Sequence, residues 1–424
     1  MRRMMLIVFL GVVYLSGKTQ ESKLTLIPVY EKTFEDTIVD VIFDTVTVTL
    51  NKAKAMGWKE EAFSEEEKAK GKVTVPYPKV VFIGTPFPMA SKVKGIKFYN
   101  QQGNLIKYVN VQKKERVYMS PNKKYILIGK WPDVDHPERQ GGKLYNSHGD
   151  ILTTFNRYFP LAVSDNRYVI AGELPYESEA PGDFRFYNPS GEEISKVHNP
   201  LKNIGEGWSW AIFERNKNNA IIGYTNKITR SVILYTTMTG KKIWSSKLSF
   251  ASTFPYESGV CRDYIIGTGY IYNCNKAHFE KYYIWAINKK DGILKWLLET
   301  ENLGNTVIKI NKTSKHIYLS SWLNKEILKI GMDSGKILGK YKLPKGRQLF
   351  NELKIINDTL YIIGKQGRDW HSSTLFVFDG KNGKLLKKIE YPQEKITFAK
   401  CIEGIGLINI TKGKVTIFRK EVER

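Results

Sequence analysis

The sequence predicts an all-β fold, a single β-propeller of four-stranded antiparallel blades. Seven polar turns that end in glycine, each flanked by two strand-like segments, recur at Gly103, Gly149, Gly191, Gly240, Gly292, Gly335 and Gly383. Successive glycines lie 42 to 52 residues apart, which is the length of a propeller blade and exceeds that of an ankyrin or leucine-rich repeat. We therefore expect the 424 residues to form one closed array.

A second observation is a nearly continuous apolar run in every repeat. The runs are VVFIG (80–84), YILIG (125–129), YVIAG (168–172), AIIGY (220–224), YIIGT (264–268), HIYLS (316–320) and LYIIG (360–364). A strand that is apolar on both faces is buried between two sheets. We predict that these runs are the second strands of blades that pack side by side.

The end of the chain predicts how the ring closes. Three strand-like segments follow the seventh glycine turn: Phe398 to Ile402, Gly406 to Ile410 and Lys414 to Arg419. Because a closed ring leaves no open sheet edges, a strand from the N-terminal part, with Asp44 to Leu50 as the candidate, is expected to complete their sheet. This favours eight blades; seven is the alternative, in which these strands complete the first repeat.

The first 78 residues stand outside the repeat. Arg2 and Arg3 precede an apolar run from Leu6 to Leu15, which is typical of a secretory signal peptide and too short to cross a bilayer. Ser64 with Glu67 forms a capping-box pattern for a short helix. The expected domains are a signal peptide (1–17), an N-terminal extension with the ring-closing strand and the helix (18–78), and the propeller (79–424).

The positive net charge of the chain indicates which classes of partner it favours. The formal net charge of +24 favours contact with polyanions such as acidic glycans, although a solvated lysine-rich surface is the alternative. The lysines are spread over all repeats, which argues against sequence-specific nucleic-acid binding.

Cys261, Cys274 and Cys401 form no disulfide framework, and a bridge between Cys261 and Cys274 stays open.

Two glycine turns carry a further signature. TGKKIW (239–244) and DGILKW (291–296) place Trp244 and Trp296 four residues after the glycine, and Ala286 and Asn288 precede the second copy. This pattern resembles the tryptophan-docking repeat of quinoprotein-like β-propellers, in which the tryptophan packs between blades. SPNKKYI (120–126) is similar to a phrase of WD-repeat-like propellers. The resemblance implies a propeller but specifies no reaction.

The sequence departs from the quinone-dependent enzymes of that superfamily. Such enzymes carry two adjacent cysteines and a calcium site of Glu, Asn and Asp, whereas no two cysteines are adjacent in this chain and no match for the calcium ligands is found. We therefore predict no cofactor and favour a non-enzymatic protein. The alternative is an enzyme in the central funnel, either a quinone-dependent dehydrogenase or a glycan hydrolase or lyase.

Binding is expected on one face of the ring. In an antiparallel blade, the loops between the second and third strands and the loops between blades emerge on one face, here named the long-loop face. The glycine turns emerge on the opposite, glycine-turn face. Aromatic and arginine side chains on rigidly held loops are common anchors of contacts. The predicted binding residues are Trp131, His136, Tyr176, Trp208, Trp210, Phe254, Tyr256, Tyr272, Trp322, Arg347, Arg368, Trp370 and His371.

One long loop contains weak candidate metal ligands. WPDVDHPER (131–139) includes Asp133, Asp135 and Glu138, whose oxygens suit calcium, but their spacing matches no closed metal motif. The next loop adds Glu173, Glu177 and Glu179, a source of a carboxylate pair for glycan hydrolysis. The sequence thus predicts an exported, monomeric scaffold of the cell envelope, secreted or periplasmic, that binds a partner protein or an acidic glycan.

Overall fold

The structure, a computed structural model, describes most of the chain after residue 25. The described residues are 26–85, 92–130, 141–156, 158–172, 182–201, 207–215, 217–226, 230–252, 259–273, 278–300, 306–311, 315–321, 326–342, 348–356, 358–366, 372–391, 396–402, 406–411 and 413–420. Their strands form eight four-stranded antiparallel sheets. None of the described helices has the length and apolar character that crossing a membrane requires.

Seven of these sheets, named blades I to VII, consist of consecutive strands. Blade I is β2 (Ile38–Thr49), β3 (Lys72–Thr85), β4 (Lys92–Tyr99) and β5 (Leu105–Asn110). Blade II is β6 (Glu115–Met119), β7 (Tyr125–Lys130), β8 (Gly141–Asn146) and β9 (Ile151–Phe155). Blade III is β10 (Phe159–Val163), β11 (Val169–Gly172), β12 (Phe184–Tyr187) and β13 (Glu193–Val197).

The next four blades continue this order. Blade IV is β14 (Gly207–Phe213), β15 (Asn219–Asn226), β16 (Ser231–Thr237) and β17 (Lys242–Leu248). Blade V is β18 (Ala251–Ser252), β19 (Tyr264–Asn273), β20 (His278–Asn288) and β21 (Leu294–Thr300). Blade VI is β22 (Thr306–Asn311), β23 (His316–Ser321), β24 (Glu326–Gly331) and β25 (Ile337–Lys342). Blade VII is β26 (Gln348–Ile356), β27 (Thr359–Gln366), β28 (Ser372–Asp379) and β29 (Leu385–Tyr391).

The remaining sheet, named the closing sheet, joins the two ends of the described chain. It consists of β30 (Ile396–Ile402), β31 (Gly406–Thr411), β32 (Lys414–Lys420) and β1 (Leu26–Thr33). β30 contacts β26 of blade VII, and β30 and β31 contact β2 of blade I. The closing sheet therefore lies between the last blade and the first.

This arrangement corrects the predicted one of eight blades. The structure has seven blades of consecutive strands, each with a glycine turn, and its additional sheet is closed by β1 instead of Asp44 to Leu50. β1 pairs with β32 from Leu26 opposite Lys420 to Thr33 opposite Lys414. Residues 44 to 49 belong to β2 and pair with β3 inside blade I. Both segments, residues 26–33 and 44–49, are strand-like in sequence, so the pattern alone did not identify which one reaches the open edge.

A small helical insertion holds the closing strand in place. It connects β2 to β3 and contains α1 (Leu50–Ala55), a 3₁₀ turn (Glu60–Ala62) and α2 (Glu65–Lys70). The Trp58 ring packs 4.9 Å from the Tyr30 ring of β1, and the Lys59 backbone N–H donates to the Val29 carbonyl at 2.9 Å. β1 is thus bonded to β32 on one side and to the insertion on the other.

The predicted capping box is confirmed at the start of α2. The Ser64 side chain accepts a hydrogen bond from the Glu67 backbone N–H, and the Glu67 carboxylate accepts one from the Ser64 N–H. Both bonds satisfy backbone donors that a helix N-terminus otherwise leaves unpaired.

The burial of the strands follows their order in the blade. The seven predicted apolar runs lie in the second strands, β3, β7, β11, β15, β19, β23 and β27, and residues such as Ile126, Ile170 and Ile221 are fully buried. First strands line the central channel. Fourth strands form the outer edge, where Leu105 and Ile151 are each 51% exposed. The core therefore lies between the sheets.

The glycine turns are the places where each blade docks on its neighbour. Gly292 and Gly335 adopt φ angles of +76° and +67°, and a Cβ at either position would lie 2.6 Å from a tryptophan ring of the preceding blade. The Trp244 indole N–H donates to the Lys289 carbonyl at 2.8 Å, and that of Trp296 donates to the Met332 carbonyl at 2.8 Å. These contacts are the tryptophan docking that the resemblance implied.

Blades that lack the tryptophan dock through smaller side chains. The Thr153 hydroxyl donates to the Pro189 carbonyl at 2.9 Å, and the Ser195 hydroxyl donates to the Thr239 carbonyl. In blade VI the residue four positions after the turn glycine is Gly339, which has no side chain to dock. Tyr341, two residues further along, packs beneath the glycine turn of blade VII and donates to the Gly380 carbonyl at 2.9 Å.

We expect Gly292→Ala to lower stability more than Gly71→Ala. Both glycines have positive φ, so each alanine incurs a left-handed backbone cost of about 1 kcal/mol. Only at Gly292 does the new methyl group meet a ring, since a Cβ at Gly71 would have no neighbour within 4 Å. Overpacking lowers the free energy of unfolding by a further amount of about 1–3 kcal/mol. Urea or thermal unfolding measures this loss of stability. Equal losses in the two variants would contradict the docking role.

Candidate functional site

The long-loop face carries a group of four aromatic rings on the β19–β20 hairpin, named the aromatic cluster. The Phe279 ring lies 4.9 Å from Tyr270, 5.1 Å from Tyr272 and 5.5 Å from Tyr282, measured between ring centroids. Cross-strand pairing produces these contacts, because Tyr272 is opposite Phe279 and Tyr270 is opposite Tyr282. Phe279 is 47% exposed, so the cluster presents an apolar ring to solvent from a hydrogen-bonded hairpin.

Two tyrosines of the aromatic cluster, Tyr270 and Tyr282, have raised pKa values. Burial, with a smaller contribution from Tyr282, raises the pKa of Tyr270 to about 12. Burial also raises the pKa of Tyr282. The Tyr270 and Tyr282 hydroxyl groups therefore stay protonated at physiological pH, and the exposed Phe279 ring between them suits an apolar or aromatic contact.

A buried carboxylate organises the same face of blade III. Asp183 is 2% exposed and lies just before β12. It accepts hydrogen bonds from Lys196 Nζ at 2.9 Å, the Asn199 backbone N–H at 2.8 Å and His198 Nδ1 at 3.0 Å. Burial alone would raise the pKa of Asp183, but these donors outweigh it and lower the pKa to about 2. These hydrogen bonds join the beginning of β12 to the end of β13.

The structure describes few of the predicted binding residues. Tyr272 is half-buried in the aromatic cluster. Trp208 lies in β14, but its side chain is not among those that the structure describes. The following predicted binding residues lie outside the described ranges altogether: Trp131, His136, Tyr176, Phe254, Tyr256, Trp322, Arg347, Arg368, Trp370 and His371. The candidate metal ligands Asp133, Asp135 and Glu138 and the carboxylates of the next loop also lie outside them.

Trp210 is in a different environment from the one predicted. It was expected on the exposed long-loop face, whereas its side chain is 5% exposed and packs with Tyr235, Trp244 and Trp285 in the core between blades IV and V. The physical reason is its position in the middle of a first strand, where side chains pack between sheets. Cys261 is also buried, and the open question of its bridge to Cys274 is not tested, because Cys274 lies outside the described residues.

The central channel contains a cavity of about 950 Å³, named the channel cavity. Its wall is formed by first strands and is largely apolar, with side chains such as Val117, Met119, Leu161 and Ile212. It extends to the turns between first and second strands. Antiparallel strands place these turns at the same end as the glycine turns, and Lys289 N–H bonds to the Asp263 carbonyl there. The cavity mouth is therefore on the glycine-turn face.

A buried ion pair lies at this mouth, between blades IV and V. Glu214 and Lys289 are each 7% exposed, and Lys289 Nζ donates to Glu214 Oε1 at 2.6 Å. The Tyr235 hydroxyl donates to the other oxygen, Oε2, at 2.8 Å. Lys289 Nζ also donates to the Cys261 carbonyl at 2.7 Å. The carboxylate and the ammonium group are therefore both compensated inside the protein.

Four cationic side chains line the mouth. They are Lys123, Arg215, Lys217 and Arg262, and Glu214 is the carboxylate among the described lining residues. No sequence pattern identified this group, because its members come from the turns of three repeats. The run ERNK (214–217) was the signal that could have identified it. This run follows a first strand, so its charged residues are expected beside the channel.

We expect Asp183→Asn to lower stability at pH 7 by an amount that shrinks below about pH 4. The folded pKa of about 2 lies below the ordinary aspartate pKa of 3.8, so the contribution of Asp183 is complete above the unfolded pKa and is lost as the pH falls through the folded one. Urea unfolding from pH 7 to pH 2 measures the difference. Asp150→Asn, at an exposed position, is the control; the same pH trend in both variants would contradict the assignment.

Comparisons with known proteins show the fold. No protein-family model and no curated protein sequence matches the chain. The Dos1 propeller is similar at 12% identity, with a TM-score of 0.54 over 94% of this chain and 96% of that one. A eukaryotic initiation factor has 13% identity and a TM-score of 0.50 over 78% of each chain. BamB from Moraxella catarrhalis has 12% identity and a TM-score of 0.49 over 90% of this chain and 99% of that one. By its fold, the chain is a β-propeller.

Proposed function

We propose that the protein is an exported binding scaffold of the cell envelope that recognises a partner protein through its long-loop face. The aromatic cluster carries this proposal, because it presents a half-exposed phenylalanine on a rigid hairpin. Interfaces concentrate their binding energy in such aromatic anchors, surrounded by contacts that exclude water. The hairpin is ordered by its own ladder of hydrogen bonds, so binding orders few additional groups.

The chemistry of the cluster favours a protein over a glycan. Phe279 has no polar atom to bond a sugar hydroxyl, and its tyrosine neighbours are partly buried around it. An apolar side chain of a partner would fit against this ring and remove it from water. The predicted aromatic and arginine residues of the neighbouring loops are proposed to extend the same surface.

Export is the second part of the proposal. Arg2, Arg3 and the apolar run from Leu6 to Leu15 support it through their likeness to a secretory signal. Mass spectrometry of the protein from its own cells is expected to find a mature chain that begins near Lys18. A chain that retains Met1 in the cytosolic fraction would contradict export without bearing on the binding surface.

We expect Phe279→Ala to weaken partner binding about tenfold or more, as loss of an interface anchor costs at least about 1.4 kcal/mol. The measurement is the yield of crosslinked product from a photoreactive amino acid at the exposed position of Glu280 in living cells. Ile151→Ala is the matched control, because Ile151 on the outer edge of blade II is 51% exposed, close to the 47% of Phe279. The proposal fails if both variants crosslink equally or if position 280 yields no discrete product.

A further inference from the structure

The channel cavity and its cationic mouth form a second candidate binding site, separate from the aromatic cluster. The two sites lie at opposite ends of the blades, since the cluster belongs to a hairpin between second and third strands and the mouth to turns between first and second strands. No residue is shared between them. The inference therefore goes beyond the proposed function and does not depend on it.

The charge of the mouth is not balanced within the described lining. Glu214 is already paired with the buried Lys289, yet Lys217 Nζ also lies 3.2 Å from Glu214 Oε1 while its side chain remains 48% exposed. Two ammonium groups thus share one carboxylate. Arg262 is 93% exposed and lies 4.0 Å from Asp263, a separation at which an exposed pair contributes little. An anion at the mouth would meet a net positive field.

The wall of the channel cavity behind these cations is largely apolar. Val117, Met119, Leu161 and Val163 line the cavity on the blade II and blade III side, and Ile212 lines it on the blade IV side. A volume of about 950 Å³ lies at the upper end of the range for ligand pockets. Apolar walls of this size favour an occupant with apolar side chains, which a uniformly charged and hydrated glycan does not have.

We propose that the channel mouth binds an acidic peptide segment of a partner protein, with its carboxylates against Arg215 and Lys217 and an apolar side chain inside the channel cavity. The rim determines the charge of the segment, and the wall determines its apolar character. Exposed cations at the rim raise the association rate, while the enclosed apolar contact lowers the dissociation rate.

The test uses a fluorescein-labelled peptide of alternating glutamate and leucine, titrated with the full-length protein by fluorescence anisotropy. Replacing both Arg215 and Lys217 by Ala is expected to weaken binding about tenfold or more. Replacing both Lys242 and Lys247 by Ala is the matched control, because it removes the same charge from exposed positions on the outer strand of the same blade. Phe279→Ala is expected to leave the affinity unchanged, which separates this site from the proposed function.

Two further measurements distinguish the occupant. A peptide of alternating glutamate and glycine is expected to bind at least about tenfold more weakly than the leucine peptide, since its apolar contact is missing. The leucine peptide is also expected to change the intrinsic fluorescence of the wild-type protein but not that of Trp210→Phe, because Trp210 lines the cavity.

Three results would overturn the inference. Equal losses in the rim and control variants would indicate a diffuse attraction to polyanions. Equal affinity for the glycine and leucine peptides would exclude the apolar wall from the interaction. Heparin that binds more tightly than the leucine peptide, with the same dependence on Arg215 and Lys217, would assign the rim to an acidic glycan. Circular dichroism and unfolding of each variant verify that the fold is retained.

Discussion

The docking of each blade beneath the next glycine turn is the interaction on which the rest of the structure depends. A side chain of the outer strand reaches under the turn of the following blade and donates a hydrogen bond to its backbone, as Trp244 does to the Lys289 carbonyl. The turn residue of blade V must be glycine, because a Cβ at Gly292 would overlap the docked Trp244 ring. Tryptophan buries the most area, but Thr153 keeps the hydrogen bond with a smaller side chain. The geometry is thus retained while the residue changes.

Repeated docking leaves one problem, which is the open edge between the last blade and the first. The closing sheet solves it by combining β1 with three strands from the other end of the described chain, so contacts in this sheet span most of the sequence. The helical insertion packs Trp58 against Tyr30 and bonds to the backbone of β1. A strand held along both sides is protected from fraying. The channel cavity depends on this closure, because its lining residues come from several blades and the ring fixes the distances between them.

Local patterns predicted the fold well and the sites poorly. The glycine turns, the buried second strands and the capping box at Ser64 were readable because each depends on residues within a few positions of one another. The closing strand was misassigned because alternation describes a strand without naming its partner. Trp210 was misplaced because a tryptophan near a loop is compatible with both a core and a surface position, and only the packing of blades IV and V decides between them.

The sequence by itself determined the repeat, the order of strands in a blade and the position of each docking glycine, because these follow from local conformational preference and from apolar periodicity. The tertiary structure decided which charges and rings meet. Glu214 and Lys289 are 75 residues apart in sequence and become an ion pair only when two blades stack. The aromatic cluster needs the register of a single hairpin, which places Tyr272 opposite Phe279. The Glu214–Lys289 pair depends on the relative position of two blades, which no local pattern encodes.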